Sequence, residues 1–386
     1  MFLVIDIVPP PVLYSFREDK SWTGRVGVRK KEIEGMAGGL TSKIECYASD
    51  HGIDVIGITS AEPFVRNGEV IDPRELLADA RSVVVAGFFM KEEDRVLSVP
   101  PDRPTGRFSS AYNVRAFTAM EAHYFNTLRR FLEKEGFKAV LNDKYRIPDK
   151  PAAVRAGLGR YGKNSVILTE KYGSCVMFVT IVTDAPLNPA ASPMEGDACG
   201  GCDLCLRSCP TNAFPAPYKI NRKLCITNWL WGIFVPAALR EKQDDRLFGC
   251  GDCVRVCQKN RKLEPRRKYP VPLENVEDRP ELIPLAAADA GYYKKVFAAF
   301  PLRAGVNALR GNVINALGNT ANDSAVEPLG RTLHHSKPQI RAYSAWALGR
   351  IGGTEARRHL RRAKSSETER SVLEEIEFAL RPSAAR

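Results

Sequence analysis

CGGCDLCLRSCP, residues 199–210, sets Cys199, Cys202, Cys205 and Cys209 in close succession, with Pro210 directly after the last thiol. CGDCVRVC, residues 250–257, adds Cys250, Cys253 and Cys257, and Cys225 lies alone between the two runs. Of the 10 cysteines only Cys46 and Cys175 fall elsewhere. Soft thiolates suit iron–sulfur clusters or zinc. A zinc site takes four ligands, usually as Cys-x2-Cys pairs parted by a longer gap. Three ligands at tight intervals followed by Cys-Pro fit the bacterial 4Fe-4S signature instead, in which the fourth Cys serves the other cluster of a pair. That crossing assigns Cys199, Cys202, Cys205 and Cys257 to one cluster, and Cys209, Cys225, Cys250 and Cys253 to a second. The segment therefore predicts electron transfer. Cys46 and Cys175 sit in a predicted helix and strand and are expected to be small buried hydrophobes.

The bulk composition bounds the rest. A chain of 386 residues has room for two or three domains, and 44% hydrophobic with 26% charged residues is ordinary for a globular protein. No apolar run reaches the roughly 18 residues that span a bilayer, so no membrane association is expected. The opening MFLVIDIVPPPVLYS lacks a basic leader and is broken by Asp6 and prolines, unlike a secretory signal. Clustered thiols without such a signal point to the reducing cytoplasm and to metal ligation rather than disulfides. The formal charge of +12 suggests a polyanionic partner, nucleic acid first. Two clusters, each about 2+ against four thiolates, would leave the protein basic. The blander reading is that the excess of Lys and Arg only keeps the chain soluble.

Residues 1–35 are Pro- and charge-rich and read as a leader, disordered or lying before the true start, since Met36 directly precedes the first orderly segment. Residues 36–195 alternate helical and strand-like runs. LTSKIECYASDHG is a predicted helix stopped at Gly52, IDVIGIT and SVVVAGFF (82–89) are predicted strands, residues 115–135 have helical periodicity, and 175–183 form a further strand. Residues 196–265 hold the thiols, with little room for regular structure. Residues 275–386 turn Ala- and Leu-rich. There LRGNVINALGN (309–319) superposes on IRAYSAWALGR (340–350), setting Arg310 on Arg341 and Leu317 on Leu348, and a degraded third copy ends in ERSVLEEIEFAL (369–380). Helical pairs at this period resemble short HEAT-type units, which stack and present one long face. The predicted class is therefore α+β and multidomain, with an α/β domain, a ferredoxin-like two-cluster module and a HEAT-like helical domain. RRHLRR places Arg357, Arg358, Arg361 and Arg362 on one helical side. With Arg341, they form a candidate phosphate-binding face, or else a solvated one.

Within the α/β domain, RAGLGRYGKNS (155–165) carries Gly157, Gly159 and Gly162, then Lys163 and Asn164. Such glycines let backbone amides approach a large planar or anionic ligand. They match G-x-G-x-x-G literally but lack the long helix of a dinucleotide site. Followed by YGS (172–174), Asp184, the cysteine run ending TNAF, Cys225, FGCGDCVRVC and a HEAT-like tail, this order resembles the epoxyqueuosine reductase family, from about residue 40 to 380. That family's α/β domain is shared with corrinoid reductive dehalogenases.

The resemblance implies a cytoplasmic, cobalamin-dependent oxidoreductase with two 4Fe-4S clusters. It would remove the epoxide oxygen from epoxyqueuosine in the tRNA anticodon loop, the last step of queuosine biosynthesis. It further implies that Gly157, Leu158, Gly159, Gly162, Lys163, Asn164 and Ser165 line the corrinoid. Asp143, twelve residues before Arg155, falls where the family carries its proton donor. The surrounding DKYRIP departs from the family's Asp-x-x-Pro, and SAYNVRAFTAMEAHY stands where the family has Asp-Tyr-His. Asp149 is thus a rival donor, Tyr112 and Tyr145 are dehalogenase-like alternatives, and Asp143 could be a plain turn residue. The expected partners are tRNA and an external electron donor such as ferredoxin or flavodoxin, for a monomeric protein. Two other readings stand beside this one: a corrinoid iron–sulfur reductase of a small molecule, and a ferredoxin-type carrier, which would not require the α/β domain.

Overall fold

The computed structural model describes residues 39–66, 68–91, 103–108, 114–142, 146–190, 194, 196–230, 234–265, 279–289, 291–293 and 306–381. The leader at 1–35 lies outside them. The chain divides into two compact units, one drawing on Met1–Lys91, Ala116–Cys205 and Cys253–Leu273, the other on Glu92–Arg115, Leu206–Asp252 and Glu274–Arg386. Among the described residues, no helix is long and apolar enough to cross a membrane.

The first unit is built on a four-stranded sheet. Its elements are α1 (Leu40–Asp50), β1 (Val55–Ser60), β2 (Ser82–Phe89), α2 (Val114–Lys134), β3 (Ala139–Leu141), α3 (Asp149–Arg155), the short strands β4 (Arg160–Tyr161) and β5 (Ile167–Leu168), and β6 (Val176–Thr183). The strand order is β1-β2-β6-β3, with every pairing antiparallel. Antiparallel sheets often leave one face to water, giving alternating strands. Here both faces are covered, which explains the unbroken apolar run SVVVAGFF: all of β2 is buried. Val84, Ala86 and Phe88 pack with Ile44 and Ala48 of α1 and Met120, Tyr124 and Leu128 of α2. Val83 and Val85 pack on the opposite face with Ala152 and Ala153 of α3. Tyr124 pins one end of the sheet through its hydroxyl, which donates to Gly52 O or Asp54 Oδ2, while Asp54 accepts the Phe89 amide at 2.7 Å. Cys175 is buried beside β6, whereas Cys46 on α1 is half-buried.

The second unit is helical. It contains α4 (Ala237–Gln243), the short strand β7 (Arg246–Phe248), α5 (Val306–Thr320), α6 (Val326–Thr332), α7 (Pro338–Ile351), α8 (Gly353–Ser366) and α9 (Arg370–Leu380). The sequence repeat lies on α5 and α7, and its equivalent glycines do the same work in each copy. A Cβ on Gly318 would stand 2.8 Å from the Ala347 Cα, and one on Gly349 would stand 2.6 Å from the Ala379 Cβ. Only a bare Cα lets α5, α7 and α9 approach so closely, and this explains a glycine in the last turn of both α5 and α7.

A polar stripe on α5 holds the segment that leads to Cys250. Asn312 is fully buried and donates to Leu230 O and Leu247 O, Asn315 donates to Gln243 Oε1 at 3.1 Å, and Asn319 donates to Arg240 O at 2.8 Å. Gln243 in turn donates to Arg246 O and Asn312 O, both at 2.8 Å. Arg240, buried, pairs with Glu375 of α9 at 2.7 Å and lies over the Tyr343 ring. The helical repeats thus form the floor on which Leu230 and residues 234–248 are fixed.

Replacing Gly349 by Val should destabilise the helical unit by about 1–3 kcal/mol through overpacking, even though Val is the better helix former. Thermal unfolding followed at the helical dichroism band checks this, and an unchanged or raised midpoint would refute the close-packing role.

Candidate functional site

The glycine segment opens where α3 ends. Gly157 takes a left-handed conformation, φ +69, and the amides of Gly157 and Leu158 return to Val154 O and Ala153 O, closing the helix end. Gly159 then runs so close to β5 that a Cβ would stand 2.4 Å from Leu168 O. β4 and β5 pair as a hairpin, and its turn is tied by Gly162 N to Val166 O and Ser165 N to Gly162 O, both 2.8 Å. The chain's own geometry therefore requires Gly157 and Gly159. The residues free to face outward come at the turn.

Each side chain of that turn has a distinct fate. The Lys163 amide donates to Cys199 Sγ at 3.5 Å, and its ammonium donates to Gly200 O. Asn164 is buried, accepts the Val166 amide and donates to Cys253 O at 3.1 Å. Ser165 holds φ +59, an uncommon conformation for a residue with a side chain, and its carbonyl accepts from Lys150 Nζ at 2.8 Å. Its hydroxyl is enclosed and makes no hydrogen bond among the described residues.

Cys199, Cys202, Cys205 and Cys257 all belong to the first unit. Burial pushes the Cys205 thiol up, and so, after it, do the neighbouring Cys199 and Cys257. Burial likewise raises Cys257, with Cys199 and Cys202 adding to it. The four thiols thus lie close enough for their charges to act on one another. Asn260, which sequence reasoning missed, fixes the Cys257 end. Its Oδ1 accepts the Ser174 amide at 2.9 Å, and its Nδ2 donates to Ser174 Oγ at 2.8 Å and Val254 O at 2.7 Å. Sequence spacing cannot flag such a residue, because the partner that gives it its role, Ser174, lies 86 positions upstream.

Cys209, Cys225 and Cys250 lie in the second unit and Cys253 in the first. Cys209 Sγ accepts the Ala213 amide at 3.3 Å. Cys250 packs against Ile226, Leu230 and Val235, and burial, with Asp252 beside it, pushes its thiol up to about 11.

Of the candidate proton donors, Asp143 and Tyr145, and likewise Tyr112, lie outside the described residues. Asp149 opens α3. Its Oδ1 accepts from Thr180 Oγ1 at 2.6 Å and from Asn142 Nδ2 at 3.3 Å. Burial raises its carboxyl to about 6 against the opposing pull of those two hydrogen bonds.

On the helical unit the basic residues separate. Arg341 is engaged by Glu367, Nε to Oε2 at 2.6 Å and Nη2 to Oε1 at 2.8 Å, which holds the Glu367 carboxyl down to about 2. Arg357 donates to Leu380 O at 3.0 Å and Arg358 pairs with Glu355. Arg361 and Arg362 are exposed on α8 and make no ion pair among the described residues.

Comparison with known proteins gives these parts names. Residues 198–260 match the 4Fe-4S double cluster binding domain, and residues 302–381 match HEAT repeats. The chain is 28% identical over 371 residues to the epoxyqueuosine reductase of Listeria monocytogenes serovar 1/2a, covering 87% of this chain and 96% of that protein. It is 28% identical over 363 residues to the epoxyqueuosine reductase of Bacillus subtilis strain 168, covering 86% and 92%. Among solved structures it resembles an epoxyqueuosine reductase in complex with an epoxyqueuosine-modified stem loop of tyrosine tRNA, with TM-score 0.79 and 28% identity over 88% of this chain and 98% of that one. It also resembles the Bacillus subtilis enzyme with its catalytic aspartate loop swung out of the active site, with TM-score 0.78 and 27% identity over the same shares. The expected resemblance therefore holds along most of the chain, as does the expected order of α/β, 4Fe-4S and HEAT-like parts.

The raised Asp149 carboxyl has a stability consequence. Folding favours its protonated form, so its contribution is full below the ordinary carboxylate range near 3.8 and is lost as pH rises through about 6. Asp149→Asn should therefore leave stability unchanged near pH 3.5 and raise it above pH 7, by up to about 3 kcal/mol. Urea unfolding followed by circular dichroism at both pH values tests the sign, and a pH-independent difference would refute it.

Proposed function

We propose that this chain is an epoxyqueuosine reductase, reducing epoxyqueuosine to queuosine in the anticodon loop of tRNA with cobalamin and two 4Fe-4S clusters. One observation supports this above the rest: the likeness to an enzyme solved with epoxyqueuosine-modified tRNA runs through the α/β sheet, the cysteine segment and the helical repeats alike. A free-standing electron carrier would have no use for the first or the last.

The residues of the turn fit a corrinoid. Ser165 offers an enclosed hydroxyl without a partner among the described residues, and Lys163 joins the same turn to Cys199. Gly157, Leu158, Gly159, Gly162, Lys163, Asn164 and Ser165 are the residues proposed to hold it. Cobalamin, when bound, supplies a strongly reducing centre that the side chains of a protein cannot provide. Cys199, Cys202, Cys205 and Cys257 would hold one cluster and Cys209, Cys225, Cys250 and Cys253 the other, and such clusters would supply electrons one at a time.

Removing the epoxide oxygen as water takes two electrons and two protons. The protein's part is to orient the nucleoside, exclude water and hand a proton to the departing oxygen. Asp143 is the proposed donor, on the pattern of the Bacillus subtilis relative, whose catalytic aspartate sits on a loop that swings. Asp149 is the rival donor, a carboxyl that burial biases towards its protonated form. Arg361 and Arg362, with Arg357 and Arg358, are the proposed contacts to the RNA backbone, and Arg341 positions α7 and the start of α9 through Glu367.

The decisive assay is anaerobic reconstitution with iron, sulfide and cobalamin, then nucleoside mass spectrometry of epoxyqueuosine-containing tRNA. Conversion to queuosine is expected. Its absence with clusters and corrinoid both bound would overturn the reading. Asp143→Asn should abolish conversion while corrinoid binding, read from its visible spectrum, is retained, and near-wild-type turnover would transfer the role to another donor.

The basic face has its own test. Arg361→Glu with Arg362→Glu should weaken tRNA binding and lower the slope of log affinity against log salt by about 1.4–1.8, the counterions of two phosphates. A slope that does not move would show α8 to be merely solvated.

A further inference from the structure

The loop before Cys225 matches no part of the reaction just described, yet it has the form of a docking surface. From Leu204 to Arg240 the chain contains no Asp or Glu, while Arg207, Lys219, Arg222, Lys223 and Arg240 are cationic. Residues 217–224 are continuously exposed. Lys219, Arg222 and Lys223 form no ion pair among the described residues, in contrast to Arg240, which is buried against Glu375. Interleaved with these cations are Tyr218, Ile220 and Leu224, exposed by 43%, 38% and 37%, large apolar side chains held in water.

The loop is built to stand out rather than left loose. Asn221 N donates to Ala213 O at 2.7 Å, Ala216 and Lys219 pair as an isolated bridge, and Tyr218 takes φ +65 at the tip. The base turns directly into Cys225: Leu224 N and Cys225 N both return to Asn221 O, at 3.0 and 3.1 Å. Trp229 Nε1 donates back to Lys223 O at 2.9 Å, and Trp229 with Ile226 and Leu230 belongs to the same small cluster that packs Cys250. A rigid, basic, partly apolar surface therefore ends within one residue of a cluster ligand.

We propose that Tyr218–Leu224 is the site at which an acidic one-electron carrier protein docks and reduces the cluster that includes Cys225. This rests on the reading of the chain as a reductase supplied with electrons from outside. Each encounter moves one electron: the carrier is oxidised by one, a 4Fe-4S cluster is reduced by one, and no bond is made or broken. Two encounters supply the pair that the epoxide requires. The three cations steer an acidic partner, and the three apolar side chains give the encounter a dry centre without holding it long. A nucleic-acid backbone would use the cations but would leave exposed Ile220 and Leu224 without a purpose, which favours a protein partner.

The test uses the holoenzyme with both clusters loaded, and reduced flavodoxin as the acidic carrier. Cluster reduction is followed by stopped-flow bleaching of the visible absorbance. Lys219→Glu with Arg222→Glu and Lys223→Glu should lower the second-order rate about tenfold or more at low salt and flatten its salt dependence. Ile220→Ser with Leu224→Ser should lower the rate with the salt dependence kept. In both variants reduced methyl viologen should still bleach the clusters to the wild-type extent, showing them intact, and equal charge reversal at Arg361 and Arg362 should leave the flavodoxin rate unchanged. A wild-type rate in the Lys219 variant would overturn the proposal, and so would a loss of tRNA affinity with the flavodoxin rate retained. The readout contains no epoxyqueuosine, so failure of the proposed reaction and failure of this docking site are separately visible.

Discussion

A thiolate drawn out of water must be compensated by positive charge or by donors, and the first unit is arranged around that requirement. Cys199 receives the Lys163 amide, and the same lysine's ammonium caps Gly200 O one residue on. Cys257 is held by the Asn260 knot to Ser174. Both ties run from the cysteine segment to loops flanking the sheet, the β4–β5 turn in one case and the run before β6 in the other. The cysteine segment and the α/β fold are thereby one folded body in this region, because Cys199 and Cys257 are positioned by residues of the α/β fold itself.

The second unit meets a different difficulty with different means. Its cysteine-bearing stretch has few long elements of its own, so the helical repeats supply order from beneath. Asn312, Asn315 and Asn319 recur at helical spacing along α5; Asn312 and Asn319 satisfy backbone carbonyls, and Asn315 holds the Gln243 side chain that does the same. Arg240 adds an ion pair to α9 and a ring face from Tyr343. The repeats are thus more than a surface for a polyanion. They serve as a foundation for a neighbouring segment.

Much of this was readable from the residues because it is written locally. Cluster ligation leaves its spacing in adjacent positions, and β2 announces its double burial as an apolar run. The 31-residue offset of the repeat is visible in Gly318 and Gly349, whose purpose is close approach. What was not readable depends on distant pairing. Asn260 and the α5 asparagines look like ordinary polar residues until their carbonyl partners are known. Arg341 reads as one more cation in a basic region, and only its bidentate pairing with Glu367 shows it to be structural. The antiparallel order of the sheet also escaped the alternation of helices and strands, since that alternation is equally compatible with parallel crossovers.

Cys257 and Asn260 complete a unit whose sheet lies far earlier in the chain. On the ribosome this imposes an order of events. The sheet, its helices and Cys199, Cys202 and Cys205 emerge first, and Cys257 follows only after the whole stretch through Cys250 has been translated, several seconds later at about 5–20 residues per second. A cluster on these four thiols, the set proposed above, would therefore close late in biosynthesis.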